Sequence, residues 1–152
     1  MGGHMGYPDN FIRGMSNKDQ CISEEGFVLA GAFIFDKFDV EKNPDYCELS
    51  INWCDDDGAI NVAKQQINVR TGLNQFAAGL ARIDRRKMEL VMKGHMDSDI
   101  LKYERKPIFK DIERNIVENR YHGNLLLKNN ASTAIKKLIP NALAMLASND
   151  II

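Results

Sequence analysis

The segment "CELSINWC", residues 47–54, decides the fold class, because it has the most regular pattern in the chain. Side chains of two kinds alternate through it, with Cys47, Leu49, Ile51 and Trp53 on one side and Glu48, Ser50, Asn52 and Cys54 on the other. Successive side chains of a β-strand point to opposite faces, so a period of two predicts a half-buried strand. We expect Leu49, Ile51 and Trp53 to lie in the core and the polar set to face the other way.

Four other segments also predict strands. Residues 10–15 ("NFIRGM") predict a short one, and the apolar run 27–35 predicts a central strand that forms a hairpin with 47–54. Residues 87–93 ("KMELVMK") and 99–104 ("DILKYE") predict two more. A mainly antiparallel sheet is therefore expected.

The stretch "ENRYHGNLLL", residues 118–127, predicts a loop that enters a buried strand. In that strand Leu125 and Leu127 share the inward face, and Leu126 lies on the other. Gly123 is interpreted as the residue that allows a backbone conformation closed to other residues.

Three segments predict helices. The first begins at Asp55 to Asp57 and runs to about Ile67, and the second covers 73–83. The third is the C-terminal helix, with Ser132 or Asn130 as its cap. Its apolar stripe consists of Ile135, Leu138, Ile139, Ala142, Leu143 and Leu146, and Pro140 within it predicts a kink or two abutting helices. Together the elements predict a small α+β domain, a mainly antiparallel sheet packed against the C-terminal helix and one or two further helices.

Composition limits the classes of function. The chain has 152 residues with a formal net charge of −1, so we expect one domain over 7–152, with 1–6 as a tag remnant, and no basic face for nucleic acid. No apolar run approaches the roughly 20 residues that span a bilayer. The odd number of cysteines, without metal-ligand spacing, indicates reduced thiols and a cytoplasmic location.

Two charged clusters are interpreted as solvated rather than functional. Adjacent residues of a helix do not face one another, so Asp55, Asp56 and Asp57 cannot all converge on one ion, and no metal is predicted. The basic cluster at 82–87 is placed at the C-terminus of a helix, where cations are favourable, although it could also hold a phosphate. No cofactor is predicted.

The candidate catalytic residues are His122, Tyr121 and Arg13. A histidine beside Tyr121 and Gly123 could act as a general base, but it could equally steady the turn by bonding to backbone. The first role requires Tyr121, His122 and Arg13 to converge on one pocket. Arg13 followed by Ser50 and later glutamates also resembles the order of NAD-binding residues in ADP-ribosyltransferases, which implies a nucleotide or NAD-like substrate.

Several short motifs resemble a group of small uncharacterised bacterial proteins. These are "FIRGM", "GAF", "ELSINW", "AAGLAR" and an Asn-x-x-His segment before an apolar run, although "RYHGN" lacks the proline of that segment in the group. The resemblance implies no activity. The leading hypothesis is a cytoplasmic bacterial domain that binds a partner protein as an accessory or regulatory component, with homo-oligomers left open. The alternative is a small enzyme built around His122, Tyr121 and Arg13.

Overall fold

The computed structural model describes residues 6–37, 39–68, 70–114, 116, 118–147 and 152. Within them the chain forms one antiparallel sheet of five strands, which are β1 (Asn10–Met15), β2 (Tyr46–Trp53), β3 (Gly79–Asp84), β4 (Leu101–Arg105) and β5 (His122–Lys128). Their spatial order is β3-β1-β2-β5-β4. The helices are α1 (Lys18–Cys21), α2 (Gly58–Lys64), α3 (Arg85–Asp97) and α4 (Thr133–Ala147), with a 3-10 turn at Ala30–Ala32. The predicted α+β class with an antiparallel sheet and a C-terminal helix is confirmed.

Strand β2 has the two faces that its alternation predicts. Leu49, Ile51 and Trp53 are 1%, 3% and 0% exposed in the main core. Helices α3 and α4 complete that core on one side of the sheet through Met88, Met92, Ile139 and Leu143, which are all buried. Strand β5 follows the same rule, since Leu125 and Leu127 join this core while Leu126 is buried on the other face.

Trp53 lies at the centre of the core. Its ring is 5.5 Å from that of Phe11 and 5.1 Å from that of Tyr103, and its Nε1 donates to the Glu104 carbonyl over 3.1 Å. A Cβ on Gly123 would collide with Trp53 Nε1 and with the Glu104 carbonyl. Gly123 does not have a positive φ, so the interpretation based on its backbone conformation is wrong. The residue is glycine because Trp53 and β4 occupy the space of a side chain.

Two predictions of secondary structure are wrong in opposite ways: a predicted strand is a helix, and a predicted helix is partly a strand. Residues 87–93 lie in α3, not in a strand, because Met88, Met92 and Met96 recur every four residues and bury one helical face. The Asp84 side chain accepts from the Arg86 and Lys87 backbone N–H groups and begins this helix, so the basic cluster lies at a helix N-terminus, not at a C-terminus.

The predicted helix at 73–83 is also wrong. Its second half forms β3, which pairs with β1 along six residue pairs. Gly79 begins the strand at a φ of 111°, which is outside helical geometry. Residues 71–78 before it form turns. The apolar side chains of 73–83 therefore lie on a loop and a strand and do not form one helical stripe.

Residues 27–35 do not form the predicted central strand or its hairpin with β2. Val28, Ala32 and Phe33 are buried, whereas Phe27 and Ile34 are exposed. The 3-10 turn at Ala30–Ala32 interrupts the segment in its middle. The neighbours of β2 are β1 and β5. An isolated bridge between Asp36, just after the segment, and Glu48 joins this part of the chain to β2.

Helix α4 continues through Pro140 as one helix, so the alternative of two abutting helices is wrong. The Ser132 hydroxyl accepts from the Ile135 N–H over 3.2 Å and caps its first turn, as predicted. In the described part of the chain, no helix is both long and apolar enough to cross a membrane.

Candidate functional site

A cavity of about 300 Å³ opens on the polar face of the sheet, opposite α3 and α4. Its floor comes from β1, β2 and β5, and its walls come from α2 with the loop that follows it and from the loop between β4 and β5. The lining residues are Ile12, Arg13, Gly14, Ser16, Ser50, Ile51, Asn52, Ala63, Gln66, Gln75, Phe76, Ile108, Asn119 and His122. The cavity thus joins segments that lie between Ile12 and His122 in the sequence.

The cavity exists because β1 and β2 separate. They pair only at Phe11 and Ile12, although β1 continues to pair with β3 as far as Met15. The Arg13 side chain bridges the separation, since Nε donates to the Ala32 carbonyl and Nη1 to the Ser50 carbonyl, each over 2.8 Å. Arg13 is therefore both a lining residue and a structural link.

His122 has one ring nitrogen bound to backbone. Its Nδ1 lies 2.7 Å from the Lys106 carbonyl oxygen. A carbonyl only accepts, so Nδ1 carries the proton and Nε2 of the neutral ring is left with a lone pair. Burial lowers the pKa of His122, which favours this neutral form. The predicted backbone bond and the predicted place in a pocket are both present.

Asn52 lies directly opposite His122 in the pairing of β2 with β5. It is only 7% exposed, and its Oδ1 accepts from Asn119 Nδ2 over 2.9 Å. Among the described residues its Nδ2 donates no hydrogen bond, and since no fully buried side-chain nitrogen or oxygen among them lacks a partner, this atom is open to the cavity that Asn52 lines. A mostly buried amide that keeps one donor open to a cavity is the feature that most strongly indicates a ligand.

Tyr121 does not belong to the cavity. Its hydroxyl donates to Asp56 Oδ1 over 2.6 Å and accepts from Arg120, beside the start of α2. The bond from Tyr121 lowers the pKa of Asp56. Of the three candidate residues, Arg13 and His122 line the cavity, whereas Tyr121 is not among the lining residues and its hydroxyl bonds beside the start of α2.

The acidic segment 55–57 makes local contacts. Asp55 receives two bonds from Arg105, and Asp56 accepts from the Gly58 N–H over 2.8 Å. In the part of the chain that the structure describes, no group of three or more His, Cys, Asp or Glu residues could hold a metal ion. The cysteines are free thiols, and burial raises the pKa of Cys54 to about 11, so this thiol is a poor nucleophile at neutral pH.

A layer of charged residues lies beside the cavity on the same face. Glu48 is 2% exposed, and its two oxygens accept from Asn124 Nδ2 and from the Asp39 N–H. Lys106 Nζ lies 2.9 Å from Asp39 and 3.6 Å from Glu48, and its hydrogen bond lowers the pKa of Asp39. Lys106 is thereby held by its side chain and also by its backbone carbonyl, which accepts from His122 Nδ1.

Sequence reasoning missed most of the site. Ser50 and Asn52 were assigned correctly to the polar face, but Ser50 was singled out only through the resemblance to ADP-ribosyltransferases, and Asn52 was not singled out at all. Asn119, Gln66, Gln75 and Phe76 lie on loops without a periodic pattern, and their convergence depends on tertiary structure. The one available signal was the asparagine at position 52 inside a predicted strand, where asparagine is disfavoured. No family model matches the chain, and no curated protein or solved structure matches it either.

Proposed function

We propose that the protein binds a small polar organic molecule in the cavity between β1 and β2. The observation that carries the proposal is Asn52, a nine-tenths buried amide whose Nδ2 is unbonded and lines the cavity. Because this donor is open to the cavity, a ligand oxygen can accept from it without displacing a hydrogen bond within the protein. This function supports the enzyme alternative more than the partner-protein hypothesis.

The size and charge of the cavity limit the ligand. Its volume of about 300 Å³ is at the lower end of the range for ligand sites, which suits a molecule of nucleoside size or smaller. Arg13 is charged, and no aspartate or glutamate is among the described lining residues. A neutral or anionic ligand is therefore favoured over a cation, and an intact dinucleotide would extend outside.

Catalysis is an extension of this proposal. His122 lines the cavity, and the lone pair on its Nε2 would act as the base, while Arg13 and Asn52 would orient the ligand. Tyr121 has no role in it. We keep the cytoplasmic location as part of the proposal, supported by the free thiols of Cys21, Cys47 and Cys54.

A screen by NMR tests the binding function. Nucleobases, nucleosides, monosaccharides and amino-acid amides are added to ¹⁵N-labelled protein, and backbone shifts are followed. We expect at least one class to shift residues of the cavity, and Asn52→Leu to abolish the effect. Asn141→Leu, the same change on the exposed side of α4, is the matched control and should leave it intact. If no class shifts the cavity residues, the proposed function is wrong.

The second candidate is the leading sequence hypothesis, binding of a partner protein. It is favoured by Phe109 and Ile112, which are 76% and 78% exposed in the loop between β4 and β5. A second copy of the chain is the partner that can be tested directly. Sedimentation of the wild type and of Phe109→Ser/Ile112→Ser should show association in the first and not in the second. If the wild type is monomeric at high concentration, the hypothesis of self-association is rejected.

A further inference from the structure

We propose that the ligand binds Asn52 and His122 through an amide edge, that is, a C=O and an N–H side by side as in a primary carboxamide or a lactam. The inference rests on the proposed binding function and names the chemistry of its ligand. It depends on the hydrogen-bond polarity of two neighbouring side chains, each of which is fixed by the backbone.

The donor side of the site is fixed by a chain of three bonds. The Tyr121 backbone N–H can only donate, and it donates to Asn119 Oδ1 over 3.0 Å. The other end of that amide, Nδ2, therefore donates to Asn52 Oδ1. Asn52 is left with its NH₂ group toward the cavity, so it presents a donor and cannot turn to present an acceptor without losing the bond from Asn119.

The acceptor side is fixed by the Lys106 carbonyl. It accepts a hydrogen bond from the protonated Nδ1 of His122, so Nε2 of the neutral ring is the acceptor. The Lys106 side chain is held by Asp39 and Glu48, so this carbonyl is part of a braced segment. The tautomer of His122 is thus determined outside the cavity.

The two groups are neighbours. Asn52 and His122 are directly opposite in the pairing of β2 with β5, where Cβ atoms of facing residues are about 4.5–5.5 Å apart. An amide edge supplies an oxygen for the Asn52 donor and an N–H for the His122 acceptor within one planar group. A carboxylate lacks the N–H and turns an oxygen toward the Nε2 lone pair. A tertiary amide also lacks the N–H.

The polarity of the site changes with pH. The charged and titratable groups around His122 are Lys106, Glu48 and Glu104, with Arg13 across the cavity and Asp39 behind Lys106. Burial outweighs the carboxylates and lowers the pKa of His122, so the acceptor persists at neutral pH. Protonation below that pKa converts Nε2 to a donor. Amide binding should then weaken, and carboxylate binding should strengthen.

Five probes test the inference by NMR titration of the ¹⁵N-labelled full chain. Benzamide and uracil carry the amide edge, whereas benzoate, N,N-dimethylbenzamide and 1,3-dimethyluracil do not. We expect benzamide, uracil or both to bind in the cavity, and the methylated analogue to bind about tenfold more weakly for the lost hydrogen bond. Binding by benzamide alone identifies a primary carboxamide, and binding by uracil alone identifies a lactam.

Asn52→Asp replaces the donor with an acceptor of the same shape and should weaken amide binding about tenfold, whereas Asn141→Asp should not. As the pH is lowered from neutral through the folded pKa of His122, which its ring shifts report in the same titration, the preference for benzamide over benzoate should fall. A long-range ¹H–¹⁵N spectrum of the free protein should show the proton on Nδ1.

Three results would overturn the inference. They are a proton on Nε2, equal binding of methylated and unmethylated probes, and cavity binding only by compounds without an amide edge. The last result leaves the proposed function standing, whereas a cavity that binds no compound of the screen rejects both.

Discussion

The two faces of the sheet are built by different physical means. The face under α3 and α4 is apolar and filled, and its side chains pack around Trp53. The opposite face carries Glu48, Asn52 and Asn124, which are as deeply buried but are held by hydrogen bonds, next to a cavity. The comparison teaches that burial alone does not distinguish core from site in this protein. A side-chain donor left open to a cavity, as at Asn52, does distinguish them.

The largest expected effect breaks the apolar face. Trp53→Ala should lower the free energy of unfolding by about 3–5 kcal/mol, because it removes a large buried aromatic and leaves a cavity. Urea denaturation measures the loss. Leu90→Ala is the control and should change stability little, because the Leu90 side chain on α3 is 79% exposed. Equal stability of the Trp53→Ala protein would show that this face does not hold the fold together.

The next largest loss of stability is expected at Arg13, which lies at the boundary between the faces. Arg13→Met should cost about 2–4 kcal/mol, since the Ala32 and Ser50 carbonyls both lose a charged donor. Arg114→Met, at an exposed arginine paired only with nearby Asp111, provides the matched control. Denaturation curves that coincide for the two variants would mean that Arg13 serves the ligand alone.

A smaller effect is expected on the polar face. His122→Ala should cost about 1 kcal/mol at neutral pH for the lost bond to Lys106. The folded-state pKa of His122 is lowered, so the neutral ring contributes stability above the unfolded pKa of about 6.5, and this contribution is lost as pH falls through the folded pKa. The stability difference between wild type and variant should therefore shrink in acid. A difference that grows as pH falls would contradict the direction of the shift.

No effect is expected from metal removal. Dialysis against a chelator should leave the melting temperature unchanged, because Asp55 and Asp56 are occupied by Arg105, Tyr121 and the Gly58 N–H. A stabilisation by calcium or magnesium that disappears in Asp56→Asn would revive a site at this segment.

The sequence predicted the parts of the fold in which one period describes the packing. Strand β2 alternates cleanly, and α4 keeps a helical stripe. The errors at 27–35 and 87–93 have a common cause, since short apolar runs fit a strand, a helix or a turn equally well and tertiary contacts decide among them. The four-residue spacing of Met88, Met92 and Met96 was the signal in the sequence that indicates a helix at 87–93, and the strand prediction did not use it.

The site was predictable only in part. Arg13 and His122 were identified because arginine and histidine near strand ends are chemically conspicuous. Asn52 and Asn119 form the orienting chain, but 67 positions separate them, and no local pattern links them. Tyr121 was included because it is adjacent to His122 in sequence, although neighbouring residues there point to different sides.

The absent side chain at Gly123 gives the protein a built-in optical reporter. Trp53 is the only tryptophan of the chain, and Gly123 lets its indole reach the carbonyl of Glu104. The Glu104 carboxylate in turn holds Asn124 and Asn43 on the polar face. Rearrangement of that face therefore acts on the indole N–H, and the emission wavelength of Trp53 can follow it without any added label.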